Sequence, residues 1–317
     1  MNEELLKVTE LKKYFPAGRK FLKAVDNISI TINKGETLGL IGESGSGKST
    51  LGRTILRLIE PDSGEIIFDG ENLRKLRPEQ LRLKRRDMQI IFQDPLASLN
   101  PRMNIGETVE DPLFIHNIGE NKQRKEKVRE YLDIVGVGRK VINSFPYEFS
   151  GGQQQRVGIA RALILNPKFV VCDEPVSSLD VSIQAQIISL LAELRKKFNL
   201  SYLFISHDLA VVKYVSDRIA VMYLGRIMEI GNKEEVFKNP LHPYTKALIS
   251  SFPKIPKDGI PKKIYETLKG EIPSPIDLPF GCRFRSRCPM AKDICETSDE
   301  PELKKCSSDH HVACLLV

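Results

Sequence analysis

The sequence predicts an α/β fold in which helices cover both faces of a mainly parallel β-sheet. Short apolar strands that end in polar residues alternate along the chain with helical segments, a pattern typical of such sheets. The 317 residues, 41% of them hydrophobic, are also enough to bury a substantial core. Ligands of such sheets bind at the carboxyl ends of the strands. The polar residues that follow each strand are therefore the first candidates for a functional site.

The elements can be justified in order along the chain. Five strands are predicted, over 24–32, 37–42, 88–93, 168–174 and 201–208. An alternating pattern of apolar and polar residues predicts the first of them, and continuous apolar runs predict the other four. Apolar residues at helical spacing predict a helix after Gly47, which a PDSG turn ends, and a long helix over 183–197. The segment between about 95 and 165 is mainly helical in pattern, which predicts a helical subdomain inserted into the sheet domain.

Composition divides the chain into two predicted domains, 1–251 and 252–317. The first contains the alternating strands and helices. The second begins with prolines crowded into 252–279, which predict an extended arm, and it contains five of the six cysteines. The first residues lack the apolar segment of a signal peptide, so we expect a cytosolic protein, whose thiols stay reduced. Clustered cysteines in such a protein indicate metal ligands before disulfides.

The charge of the chain indicates an anionic partner. The formal net charge is +7, which suits nucleotides, nucleic acids or lipid headgroups. The densest basic stretch, 73–87, is predicted to be a solvated and partly helical surface. Neither zinc-finger spacing nor an RNP motif accompanies it, so we expect no nucleic-acid partner. No apolar run reaches the length that a membrane-spanning helix needs.

A phosphate-binding loop is predicted at 42–50, GESGSGKST, between a strand and a helix. Its glycines let successive backbone N–H groups turn towards phosphate oxygens, and the helix N-terminus adds partial positive charge. Lys48 can reach the β- and γ-phosphates, and the Ser49 hydroxyl can bind Mg²⁺. Such a pattern arises by chance in about one chain of this length in a hundred. The predicted nucleotide contacts are Gly42, Ser44, Gly45, Ser46, Gly47, Lys48, Ser49 and Thr50.

Two acidic residues end the predicted strand over 168–174, and they provide the second group of residues that a nucleotide hydrolase needs. Asp173 is predicted to lie in the second shell of Mg²⁺, and Glu174 beside a water in line with the γ-phosphate. Alone, two acids after a strand are more often a turn or a helix cap. Cys172 within this strand is predicted to be an inert core thiol.

A second anion-binding helix N-terminus is predicted at Ser150, Gly151 and Gly152 in FSGGQQQRVGIARAL. One chain already has its phosphate loop, so a second site makes sense if it caps a nucleotide that another chain holds. At this point the sequence resembles the ATP-binding subunits of ABC transporters, whose signature motif is LSGGQ. Phe149 replaces the leucine, and the motif through Gln153 is otherwise intact.

This resemblance implies a P-loop NTPase fold with an antiparallel β subdomain, and it implies roles for four further residues. Gln93 resembles the glutamine that binds Mg²⁺ and senses the transmembrane partner. Asp180 resembles the aspartate that lines the dimer interface, and His207 the histidine that contacts the γ-phosphate. Tyr14 resembles the aromatic residue that stacks on adenine, with Phe15 as the alternative.

Within ABC transporters, the stretches 92–107, 239–253 and 270–295 are similar to the oligopeptide, dipeptide and nickel importers. The resemblance implies an ATPase at the cytoplasmic face of the membrane that binds two permease subunits. A second ATP-binding subunit completes the two nucleotide sites, as a heterodimer or, for the isolated chain, a homodimer. An extracytoplasmic binding protein is an indirect partner. A soluble ABC ATPase acting on nucleic acid is the alternative from another class.

The cysteine-rich tail around CRFRSRC allows three interpretations. The resemblance implies a [4Fe–4S] cluster bound by Cys282, Cys288, Cys295 and Cys314, with Cys306 as the alternative fourth ligand. The neighbouring arginines would offset the negative charge of such a cluster. Zinc is the second interpretation, although the spacing is wider than in common zinc knuckles. Free or bridged thiols are the third.

Overall fold

The computed structural model of the protein describes residues 3–250, 270–307 and 309–317. Its strands are β1 Glu4–Ala17, β2 Lys20–Asn33, β3 Thr37–Ile41, β4 Ser63–Phe68, β5 Glu71–Asn72, β6 Met88–Ile91, β7 Phe169–Asp173, β8 Ser201–Ile205, β9 Arg218–Tyr223, β10 Arg226–Asn232, β11 Lys304–Lys305 and β12 His311–Val312. Its α-helices are α1 Lys48–Ile55, α2 Pro78–Lys84, α3 Pro95–Ser98, α4 Ile105–Ile115, α5 Asn121–Ile134, α6 Gly151–Leu163, α7 Val181–Phe198, α8 Leu209–Val215, α9 Lys233–Lys238, α10 Pro243–Ser250 and α11 Ile294–Thr297.

These elements belong to two compact units. The first unit comprises Met1–Leu6, Thr31–Thr37 and Ile67–Ile205. The second unit comprises Lys7–Ile30, Leu38–Ile66 and Ser206–Val317.

In the first unit, β6, β7 and β8 lie parallel, with β7 between the other two. Phe169 of β7 is in register with Met88 on one side and Ser201 on the other. Every residue of β7 and β8 is buried, as expected for parallel strands covered on both faces. The three strands predicted from apolar runs in this part of the chain are confirmed.

The segment between β6 and β7 is helical, as the sequence predicts. Helices α4, α5 and α6 pack against one another through fully buried side chains that include Val109, Leu132 and Val157. A capping box begins α4: the Asn104 side chain accepts from the Glu107 N–H at 2.8 Å, and the Glu107 carboxylate accepts from the Asn104 N–H at 2.9 Å. These reciprocal bonds satisfy two backbone donors at the helix start.

In the second unit, β2, β1 and β4 are neighbours in that order, and β3 lies parallel to β9. Ile28 and Ile30 of β2 are buried, and Ser29 between them is exposed, which confirms the alternating strand predicted there. Strand β10 is antiparallel to β9, and β12 from the tail pairs with the other edge of β10. The last residues of the chain therefore extend the sheet of this unit.

Residues 251–269, which include most of the predicted arm, lie outside the described residues, and so does the boundary predicted between 251 and 252. The division into domains 1–251 and 252–317 therefore stays a prediction. From Gly270 to Gly281 the chain has no helix or strand. Within the described ranges, no helix is both long and apolar enough to span a membrane.

Candidate nucleotide-binding site

The predicted phosphate loop of the second unit links β3 to the N-terminus of α1. Gly45 and Gly47 have φ angles of +76° and +102°, a region that residues with a Cβ rarely adopt. A Cβ on Gly47 would lie 2.0 Å from the Ala24 carbonyl oxygen, so glycine is required there for space as well. The Lys48 ammonium is buried and donates to the carbonyl oxygens of Gly42 at 2.8 Å and Glu43 at 2.9 Å. Two carbonyl groups of the loop thus bind the ammonium group of Lys48, which belongs to the same loop.

The end of β7 in the first unit brings together two predicted site residues. Asp173 is the last residue of the strand and is 1% exposed. Glu174 follows with φ +48°, a strained conformation for a side chain of this kind that is common at functional sites. The Gln93 amide donates to a Glu174 carboxylate oxygen at 3.2 Å. Gln93 can therefore orient the carboxylate that was predicted to act as the base.

The predicted signature segment forms the N-terminus of α6. Ser150 is the N-cap, its hydroxyl accepts from the Gln153 N–H at 3.4 Å, and the Gln153 side chain accepts from the Ser150 N–H at 3.1 Å. A Cβ on Gly152 would lie 2.5 Å from Ile183 of α7, so this glycine allows the two helices to approach. Ser150, Gly151, Gln153 and Asp180 are exposed. An exposed helix N-terminus suits the predicted contact with another chain's nucleotide.

His207, predicted to contact the γ-phosphate, belongs to the second unit and is exposed. It follows Ser206, whose N–H donates to the Leu40 carbonyl of β3 at 3.3 Å. Asp208 caps α8 by accepting from the Ala210 N–H at 2.7 Å. The cap and the strand contact place His207 just before a fixed helix start.

Tyr14, the predicted adenine contact, is half-buried on β1. Its hydroxyl donates to the Asp26 carboxylate, and its N–H donates to Asp62 at 2.6 Å. Burial, together with the bond to Asp26, raises the pKa of the Tyr14 phenol. Phe15, the alternative, is half-buried as well, with the Lys13 ammonium 5.4 Å from its ring centre. The Tyr14 ring has the more firmly held position because its hydroxyl is bound.

The prediction of an iron–sulfur cluster is wrong, and so is the alternative prediction of a zinc site. In the part of the chain that the structure describes, no three His, Cys, Asp or Glu side chains are grouped so that they could hold a metal ion. The four proposed ligands, Cys282, Cys288, Cys295 and Cys314, are free thiols, as is Cys306, so the disulfide alternative fails too. Burial raises the pKa of the Cys282 thiol to about 11 and also raises that of Cys288.

The arginines of CRFRSRC bind carboxylates of the protein instead of offsetting a cluster. Arg283 pairs with Asp26 and with Glu300. Arg285 pairs with Glu296 at 3.2 Å, and Arg287 pairs with Glu43 of the predicted phosphate loop at 2.6 Å. The sequence did not indicate Glu43 and Asp26 as partners of these arginines, because no motif connects residues more than 240 positions apart.

A glycine-rich loop that links a parallel strand to a helix and an acidic pair that ends another parallel strand are each typical of P-loop nucleotide hydrolases. The family model described as "ABC transporter" matches residues 25–177. A second model, "Oligopeptide/dipeptide transporter, C-terminal region", matches residues 228–295.

Curated relatives and solved structures agree with these matches. The oligopeptide transport ATP-binding protein AppF of Bacillus subtilis is 52% identical over 322 residues, which cover 99% of this chain and 98% of AppF. The oligopeptide transport ATP-binding protein OppF of Haemophilus influenzae is 51% identical over 313 residues, 98% of this chain and 94% of OppF. The ATP-binding cassette MJ0796, solved as a post-hydrolysis dimer bound to ADP and Pi, matches with a TM-score of 0.67 at 31% identity, covering 72% of this chain and 99% of MJ0796.

The chain belongs to the ATP-binding proteins of oligopeptide and dipeptide ABC transporters. It is an ATPase with the P-loop fold that the sequence predicted. ATP is its nucleotide.

Proposed function

We propose that this chain hydrolyses ATP to power the import of di- or oligopeptides through a membrane ABC transporter. The names of its relatives and the match to the oligopeptide/dipeptide C-terminal region support the cargo class. The contact of Gln93 with Glu174 supports the chemistry most directly, because a base must be oriented to receive a proton from water.

We assign the residues of this chain to steps of the reaction as follows. Lys48 and the backbone N–H groups of the phosphate loop bind the β- and γ-phosphates. Glu174 accepts a proton from the attacking water, Gln93 orients the Glu174 carboxylate, and His207 contacts the γ-phosphate. Tyr14 stacks on adenine.

Mg²⁺, when bound, would screen the charge that develops on the phosphates. Ser49 and Gln93 would hold it through hydroxyl and amide oxygens, the hard ligands that this ion prefers. The Asp173 carboxylate would support the ion without binding it directly.

The second nucleotide contact would come from another subunit. The exposed N-terminus of α6 at Ser150 and the exposed Asp180 support a contact with a second ATP-binding chain, and MJ0796 was solved as a dimer. We propose a homologous second subunit in a heterodimer, with two permease subunits and, indirectly, an extracytoplasmic peptide-binding protein. The chain would lie at the cytoplasmic face of the membrane.

The Glu174→Gln variant tests the chemistry. It retains the size and the hydrogen-bonding capacity of the side chain but removes the base, so we expect kcat for ATP to fall about a hundredfold or more while ATP still binds. Glu130→Gln, an exposed position on α5, is the matched control and is expected to retain wild-type turnover. Unchanged turnover in Glu174→Gln would refute the assignment of the base.

The cargo class is tested with the chain assembled with its permease subunits in vesicles. We expect peptide-loaded binding protein to stimulate ATP hydrolysis. Stimulation by nickel but not by peptides, or retention of the isolated chain on DNA at moderate salt, would contradict the proposal.

A further inference from the structure

Glu43, the second residue of the phosphate loop, is held at three points within the second unit. Its N–H donates to the Tyr244 hydroxyl of α10 at 2.9 Å. Its carbonyl oxygen accepts from the Lys48 ammonium at 2.9 Å. Its carboxylate receives two hydrogen bonds from Arg287, Nη1 to Oε2 at 2.6 Å and Nη2 to Oε1 at 2.9 Å. Lys48 of the same loop thus binds the Glu43 carbonyl, whereas Tyr244 and Arg287, which lie far along the chain, bind its N–H and its carboxylate.

The Arg287 guanidinium is itself held in place. The Arg287 side chain is 5% exposed, and its Nη1 lies 3.5 Å from the Tyr223 hydroxyl. Its carbon Cζ lies 5.9 Å from the centre of the Tyr223 ring. Tyr223 packs against the Tyr244 ring at 4.7 Å and the Phe284 ring at 5.4 Å. Because two parallel N–H bonds to a carboxylate need a planar donor in one orientation, this aromatic packing favours the paired geometry.

The pairing neutralises a charge that would oppose the function of the loop. A carboxylate next to a phosphate-binding loop repels the polyanionic nucleotide, and the repulsion acts over about 10 Å at moderate salt. Glu43 is only partly exposed, with 23% of its side chain accessible, so solvent screens it less than a surface acid. Arg287, 244 positions further along the chain, supplies the compensating charge.

We propose that Arg287 is a positioning residue for ATP binding, which acts by neutralising the Glu43 carboxylate and holding it away from the nucleotide phosphates. One residue of the C-terminal segment, Arg287, then supports the nucleotide site of its own chain, whereas Arg285 of the same segment pairs with Glu296 instead. This inference rests on the proposed role of residues 42–50 as the phosphate loop.

A double-mutant cycle on the full chain tests the inference, with the dissociation constant of ATP measured by calorimetric titration. We expect Arg287→Gln to weaken ATP binding about tenfold, within the usual range of coupling between sites, because it leaves the Glu43 carboxylate unpaired. Glu43→Gln alone is expected to bind ATP within about threefold of wild type. The double variant is expected to bind ATP as Glu43→Gln does, because removing the Glu43 carboxylate restores the affinity that Arg287→Gln loses. High salt should shrink the defect of Arg287→Gln alone.

Arg285→Gln is the matched control, because Arg285 lies in the same segment and pairs with the exposed Glu296. It is expected to bind ATP as wild type does. If Arg287→Gln equals this control, or if the double variant binds as weakly as Arg287→Gln, the inference is overturned; the second result would indicate a purely structural arginine.

Two further variants complete the test. Lys48→Ala is expected to lose ATP binding; if it binds ATP as wild type does, the phosphate-loop assignment itself fails, and the inference fails with it. Arg287→Lys retains the charge without the paired bonds, and it decides the matter if Arg287→Gln does not fold. We expect its affinity to be about threefold weaker than wild type, and wild-type affinity would overturn the positioning role of the guanidinium.

Discussion

Removing the Arg283 guanidinium is predicted to destabilise the protein far more than removing its neighbour Arg285. Arg283 is 2% exposed, pairs with the buried Asp26, and donates to a Glu300 carboxylate oxygen at 3.0 Å and to the Leu224 carbonyl. In Arg283→Met, the Asp26 carboxylate would stay buried without its cation.

The magnitude follows from that burial. Breaking a buried ion pair from one side costs about 3–5 kcal/mol of unfolding free energy. The Tyr14 hydroxyl still donates to Asp26 in the variant, so we expect the lower end, about 3 kcal/mol. The pKa of Asp26 is consistent with this environment: burial raises it, but the hydrogen bonds from Tyr14 and Arg283 outweigh that effect and lower it.

Urea unfolding at pH 7, followed by circular dichroism, measures the difference. Arg285→Met is the control, because its partner Glu296 is 69% exposed and such pairs contribute less than about 1 kcal/mol. The double variant Asp26→Asn/Arg283→Met should recover part of the lost stability, since no buried charge is left unpaired. Equal unfolding free energies for Arg283→Met and Arg285→Met would refute the reasoning.

Two further predictions concern pH and the phosphate loop. Burial, with a smaller contribution from Lys246, lowers the pKa of His242 from 6.5 to about 3. Below pH 6.5 the unfolded chain therefore binds a proton at His242 that the folded chain does not bind, and the free energy of unfolding should fall by about 2 kcal/mol from pH 7 to pH 5. In His242→Asn, this part of the pH-dependent shift in the urea midpoint should disappear. A pH profile identical to that of the wild type would contradict the prediction. Gly47→Ala should abolish ATP binding, measured by calorimetric titration, because its Cβ would lie 2.0 Å from the Ala24 carbonyl oxygen. The control Gly70→Ala also has a positive φ, +78°, but its Cβ would have no atom within 4 Å, so it should bind ATP normally. Equal affinities for the two variants would show that the structure relieves the contact at Gly47.

Local features were predictable because a short stretch of sequence is enough to produce them. The spacing of glycines and Lys48 predicted a loop that lies between β3 and α1. Apolar periodicity predicted α7 to within two residues at its start. The reciprocal bonds of Ser150 and Gln153 follow from a serine and a glutamine three positions apart, the distance at which a helix start brings them together.

The cysteines show where such inference failed. Their clustering in the sequence suggested a metal site, but spacing along a chain does not determine whether thiols converge in a ligand geometry. In the described structure they do not, and their arginine neighbours bind carboxylates from distant parts of the second unit.

The sequence by itself determined the family, the glycine-rich loop between β3 and α1, and most of the strands and helices around it. Only the tertiary structure decided that Arg287 binds Glu43, that Arg283 binds Asp26, and that the tail strand β12 pairs with β10. The physical reason is the same in each case. An arginine or a two-residue strand has many chemically equivalent partners along the chain, and folding brings one of them within hydrogen-bonding distance while water is excluded from the contact.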